Sequence, residues 1–162
     1  MVAALRSLAM RLLKALGLLF VGFYAGLLAA AALVKRALPS RGDAESDEVA
    51  LVAIFGGIEF ASRAQAFRGG SMLAWYGGVA VDLREATLAP DAKLVASALF
   101  GGVAIKVPPG WRIDYTARGL AGGVAVDAPE PDDPDAPTLV VDATAGFGGV
   151  AIKAETADAG ES

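Results

Sequence analysis

The sequence predicts a mainly β protein, a parallel β-solenoid of about five coils with Gly-Gly corners, preceded by one long N-terminal transmembrane helix. Three observations predict it. A charge-free apolar run occupies residues 15–34. An aromatic-Gly-Gly phrase returns at regular intervals through the rest of the chain. Around each Gly-Gly, apolar residues alternate with polar or small ones, which is the period of a half-buried strand.

Residues 15–34 read ALGLLFVGFYAGLLAAAALV, flanked by Lys14 and by Lys35-Arg36. As a helix this run spans about 30 Å, the thickness of the hydrocarbon layer of a bilayer. A cleaved signal peptide is the competing reading, with small residues at 29–32 near a cleavage position. The long region ahead of the run and the basic pair that closes it favour a retained span. Residues 1–14 form a basic lead-in where Leu5, Leu8, Leu12 and Leu16 recur at helical spacing, with Arg6 and Lys14 off that stripe. It reads either as an amphipathic segment on the membrane surface or as the first turns of one long helix. Within the span, Gly22 and Gly26, continued by Ala30, make a small-residue row along which a second helix can approach.

The charge is divided. Residues 1–42 carry six bases and no acid, and the remaining residues carry eight bases and eighteen acids, so +6 and −10 sum to the net −4. The N-terminal amine and the acidic run at 43–48 favour an inside N-terminus, which places the later domain outside the cytoplasm. An acidic domain repels phosphate backbones, so no nucleic acid is expected as a partner. The chain has no Cys and no His. Disulfides and thiolate chemistry are excluded, and the commonest general base and metal ligand are missing.

After a charged linker at 35–48, residues 49–154 hold the repeat and 155–162 a polar tail. The five copies begin at Phe55, Tyr76, Phe100, Ala121 and Phe147, and their first glycines are Gly56, Gly77, Gly101, Gly122 and Gly148. A period in the low twenties matches one coil of a solenoid. Counting from the glycines assigns an inward aromatic column, an inward small column (Ala53, Ala74, Ala98, Gly119, Ala145) and two inward β-branched columns after the corner. Glycine at the corner is read as supplying unusual backbone angles and close coil approach. Phe67-Arg68-Gly69-Gly70 reads as an additional corner, and the proline-bearing stretches at 89–91, 107–110 and 128–134 as turns between coils.

These phrases also resemble a known family. The FGG at Phe55, then Phe67-Arg68-Gly69-Gly70, Tyr76-Gly77-Gly78 with the following residues 81–86, Phe100-Gly101-Gly102 and Val107-Pro108-Pro109-Gly110-Trp111 are similar to the C-terminal domain of LiaF-type cell-wall-stress proteins, a toastrack-like β-solenoid. The resemblance covers residues 49–115. It implies a non-enzymatic β-solenoid tethered to the bacterial inner membrane and, in characterised members, a regulator of an envelope-stress kinase. It brings no catalytic residues. This chain departs from those regulators in having a single span.

No catalytic, cofactor or metal site is expected. The acids Glu130, Asp132, Asp133 and Asp135 are interleaved with prolines and form no calcium loop. Asp82 falls in the same outward slot as Lys106, Asp127 and Lys153, and Ser71 and Ser97 have no base to activate them. The Gly-Gly corners lack the following helix of a phosphate loop.

The outward row beside the corners is apolar: Val52, Ile54, Leu73, Trp75, Leu99 and Leu120. A row of this extent exceeds what an isolated domain normally exposes: it reads either as a docking face for a protein or a membrane surface, or as a row that the fold covers with its own loop or terminal segment or that one strand turns inward. The expected function is a structural accessory subunit that docks on and stabilises a membrane protein complex through the helix and this face. A regulator docking on a sensor protein is the alternative. End-to-end assembly of solenoids is disfavoured, because the polar flanks at 43–48 and 155–161 read as caps.

Overall fold

The computed structural model describes residues 2–37 and 40–156, with helix side chains described at 14–26, 28–30, 32–33 and 36. The chain forms two compact units, a helix and a β domain. Helix α1 runs without a break over Val2–Ala37, so the expected lead-in and span lie on one helix. The side chains of Leu5, Leu8 and Leu12 lie outside the described residues, as does the tail beyond Thr156. Among the described residues, no helix is long and apolar enough to cross a membrane. The transmembrane span expected at 15–34 is therefore not supported among the described residues.

The β domain comprises β1 (Glu48–Ala61), β2 (Phe67–Asp82), β3 (Leu88–Ala98), β4 (Gly102–Val107), β5 (Arg112–Gly119), β6 (Gly123–Asp127), β7 (Thr138–Ala145) and β8 (Gly149–Ala154). All strand pairs are parallel. They make a β-solenoid of about four turns, where the sequence reading expects about five coils. In the first two layers, β1 and β2 pass through the Gly-Gly corner without interruption. In the later layers the corner divides one strand from the next.

The layers do not stack in chain order. β2 pairs with β3 and β4, these pair with β7 and β8, and β7 and β8 pair with β5 and β6. The fifth copy of the repeat is therefore inserted between the third and the fourth, and β5–β6 form the terminal layer. The connection at 128–137 returns the chain by one layer.

The register builds the interior column by column. On one wall Leu51, Met72, Ala96 and Ala143 are aligned, and on the other Phe60, Val81, Ile105, Ile152 and Val126. Of the expected columns after the corner, Val79, Val81, Val103, Ile105, Val150 and Ile152 are buried, and Ile58, Phe60, Val124 and Val126 in the two end layers are half-buried. Phe67, Leu83, Leu94 and Leu139 fill the remaining core and are fully buried. Burial of each such side chain contributes about 1.5–3 kcal/mol, so these columns hold the layers together.

Two expectations are corrected. The aromatic column is not inward: Phe55, Tyr76, Phe100 and Phe147 are all exposed. Strand alternation is interrupted at the corner, which turns the residue before the first glycine outward. Phe67-Arg68-Gly69-Gly70 opens β2, and the backbone bends there as expected, with positive φ at both Gly69 and Gly70. There the β2–β3 register jumps from Phe67↔Leu88 to Gly69↔Lys93, and the bend at Asp91 is absorbed. Unusual backbone angles are not the general reason for the first glycines either. Only Gly56 among them has a positive φ.

Close approach is the reason for the other four. A Cβ on Gly77 would collide with the carbonyl oxygen of Gly56, on Gly101 with that of Gly77, on Gly148 with that of Gly101, and on Gly122 with that of Gly148. The first glycines form a column in which each layer sits directly on the backbone of the next.

Candidate interaction site

Outward residues on the β2–β4–β8–β6 wall follow the two-residue strand period, so four columns lie side by side. Along β2 they are Tyr76, Gly78, Ala80 and Asp82. Neighbouring columns stand about 6.6 Å apart.

The first column is an aromatic rail. Phe55 stacks on Tyr76 with centroids 5.5 Å apart, Tyr76 on Phe100 at 4.8 Å, and Phe100 on Phe147 at 5.1 Å. The last two rings are 3° from parallel. Their faces are occupied by each other, so the rail presents ring edges outward. It stops at the terminal layer, where Ala121 takes the aromatic position.

The second and third columns are bare. Gly78, Gly102, Gly149 and Gly123, with Ala104, Ala151 and Ala125, floor an open trough of about 650 Å³. These second glycines differ from the first. A Cβ on Gly78 or Gly102 would stand 3.8 Å from its nearest neighbour, one on Gly149 3.6 Å, and one on Gly57 or Gly123 would meet nothing. None of the five has a positive φ. Glycine inside a strand costs about 0.5–1 kcal/mol relative to alanine, so the backbone gains nothing from it here.

The fourth column carries charge, as expected from the shared slot. In spatial order it reads Asp82, Lys106, Lys153, Asp127. The layer insertion places Lys106 beside Lys153. Glu155 resolves the repulsion, with its carboxylate 2.8 Å from Lys153 Nζ and 2.9 Å from Lys106 Nζ. Hydrogen bonds from Lys153 and then Lys106 hold the Glu155 carboxyl down at about 2, and the same contact raises Lys153. At the column's other end, hydrogen bonds from Arg84 lower the Asp82 carboxyl.

A depressed carboxyl contributes stability that is full above its unfolded value, 4.5, and is lost as pH falls through its folded value, about 2. In urea unfolding, Glu155→Gln is therefore expected to lower the midpoint at pH 6. The difference from wild type should close between pH 4.5 and pH 2, and it should shrink with added salt because the group is exposed. A difference that persists unchanged at pH 2 would show that the contact acts by packing alone.

The expected docking row is divided. Leu99 is exposed, Leu120 is 84 % exposed, and Val52, Leu73 and Trp75 are half-buried. Ile54 is 5 % exposed and belongs inside. Its strand neighbour Ala53 is buried too, because alternation is interrupted there. In the inserted layer this row carries Gly146, where a Cβ would stand 2.8 Å from Leu99 Cδ1, so the Leu99 side chain lies across the position. In the helix, Gly22 and Gly26 are exposed, Ala30 is half-buried, and a Cβ on either glycine meets nothing within 4 Å.

Sequence reasoning missed the rail's outward direction and the trough. The signal for both was present in the unbroken Gly and Ala columns, which leave no side chain to cover the wall. Among the described residues no cluster of acids could hold a metal ion.

These features define the class of the β unit: a parallel β-solenoid of about four turns, toastrack-like in form. No family model, no curated protein and no solved structure matches the chain.

Proposed function

We propose that the chain is a non-catalytic, membrane-anchored interaction module. Helix α1 holds it in the bacterial cytoplasmic membrane as a single span with the β domain outside. The trough and its aromatic rail receive an apolar segment of a larger membrane protein complex, which the module stabilises as a structural accessory subunit. The observation that carries this reading is the second-glycine column: five positions where a side chain is sterically free and none is present. The bare floor lies between the corner rail and the charged column, and its glycine and alanine columns leave it open to an apolar segment.

The LiaF-like phrases at 49–115 favour a second reading, in which the docked partner is an envelope-stress sensor kinase. The identity of the bound protein separates the two.

The test fills the trough without disturbing the core. Gly102→Leu and Gly149→Leu together project into solvent from positions with room for a Cβ. The full-length double variant, purified in mild detergent beside wild type, is expected to keep its unfolding midpoint and to lose a stoichiometric membrane partner. Trp75→Asp tests the rail side in the same way. Folded variants that retain every wild-type partner would sink the docking reading.

A further inference from the structure

The layer order leaves one end of the solenoid open. β5 pairs only with β7, and β6 only with β8, among the described strands. The inward column positions of this terminal layer are uncovered. Tyr115 is 48 % exposed where its partner Val141 is fully buried, and Ile113, Val124 and Val126 are partly exposed where Leu139, Val150 and Ile152 are sealed. A shallow opening of about 460 Å³ lies there, lined by Ile113, Tyr115 and Val126 among others. Glu155 and Thr156, the described residues that follow β8, belong to the inserted layer. They run the other way: Glu155 N–H bonds Val107 O, and Arg84 bonds Thr156 O.

We propose that this end pairs with the same end of a second copy, β5 against β5 in antiparallel register about a two-fold axis at Thr116. The charge order of β5 selects both the partner and the register. Its outward residues are Arg112, Asp114, Thr116 and Arg118. Registers that keep outward residues facing outward differ by two-residue steps. Centring on Tyr115 sets Arg112 against the second copy's Arg118, and centring on Asp114 sets Asp114 against itself. Centring on Thr116 sets Asp114 against Arg118 twice, across a paired stretch covering 113–119.

The inward residues agree with that register: Ile113 meets Gly119, and Tyr115 meets Ala117, large against small each time. Asp114 forms no ion pair among the described residues. The exposed Arg118 guanidinium, 3.3 Å from Asp142 Oδ1, has donors to spare. An edge strand bearing both charges in this order excludes most partners and accepts its own copy. Pairing would also cover the open core.

The chain lacks Cys, so a single thiol reports the contact. Directly opposed residues of an antiparallel pair stand about 4.5–5.5 Å apart at Cα, within disulfide reach. Full-length Thr116→Cys in detergent micelles, oxidised with copper–phenanthroline, is expected to give a covalent dimer. Thr144→Cys, exposed one layer further in, is expected to stay monomeric. Adding Asp114→Arg to Thr116→Cys opposes Arg to Arg twice and should lower the dimer yield roughly tenfold. Adding Arg118→Asp as well restores two opposite pairs and should recover it. Circular dichroism confirms that each variant is folded. Equal cross-linking at both positions, no cross-link at Thr116→Cys, or failure of the charge swap to rescue would overturn the proposal. Dimers joined through α1 alone would give no Thr116→Cys disulfide. Combined with Thr116→Cys, the trough substitutions leave β5 untouched and should cross-link normally whether or not the variant loses its partner.

Discussion

Replacing Gly101 with alanine is expected to destabilise the β domain by about 3 kcal/mol, whereas the same replacement one residue later, at Gly102, leaves stability unchanged or raised by about 0.5 kcal/mol. The two glycines share a corner, and neither has a positive φ, so backbone angles do not separate them. Space does. A Cβ on Gly101 collides with the Gly77 carbonyl oxygen, and backbone cannot swing aside as a flexible side chain can. The third layer would have to lift from the second. That movement strains the Tyr76–Phe100 stack and the ladders flanking the corner, where Leu99 and Phe100 donate to Ala74 and Trp75.

A Cβ on Gly102 faces the trough 3.8 Å from its nearest neighbour, an ordinary van der Waals contact, and it restricts the unfolded chain. Thermal unfolding followed by circular dichroism checks the contrast, with a drop of roughly 10 °C or more for Gly101→Ala and none for Gly102→Ala. Equal losses at both sites would mean that the layers are not in backbone contact at the first glycine.

The solenoid was legible because its periodicity is physical: each layer must repeat its inward columns to cover the layer beside it. Val79, Val103 and Val150 were placed inside from alternation alone. Layer order was not legible, since near-identical phrases offer nearly identical surfaces and any copy can neighbour any other. The trace of that order lay in the exceptions. The fourth copy has Ala121 where the others have an aromatic ring and Gly119 where they have Ala, and it is this copy that forms the last layer.

The direction of the aromatic column escaped for a related reason. Alternation fixes which residues share a face within a strand, but a corner can change the phase. Ala53 and Phe55 fall two residues apart yet on opposite sides. The candidate site inherited that error in part: Leu99 and Leu120 are exposed as read, Ile54 is not, and the rail beside them was assigned to the interior.

On the proposed anchoring by α1, placing arginine at both Phe23 and Leu28 is expected to abolish stable membrane association. Leu16, Leu18, Leu19, Phe20, Val21 and Phe23 are all 63 % exposed or more. At about 100° per residue they point in every direction around the axis, and from 14 to 26 the only charge is Lys14. A helix apolar on all sides is stable only inside a protein or inside lipid. An amphipathic surface helix would instead show one polar face. Each arginine near the middle of the 15–34 run costs about 2.5–3.5 kcal/mol for insertion, so two cost about 5–7 kcal/mol. Wild type should remain with vesicles through alkaline extraction, and the double variant should appear in the supernatant with its β domain folded. Arginine variants that resist extraction as wild type does would instead place α1 against protein rather than lipid, and the anchor would have to be sought in the partner.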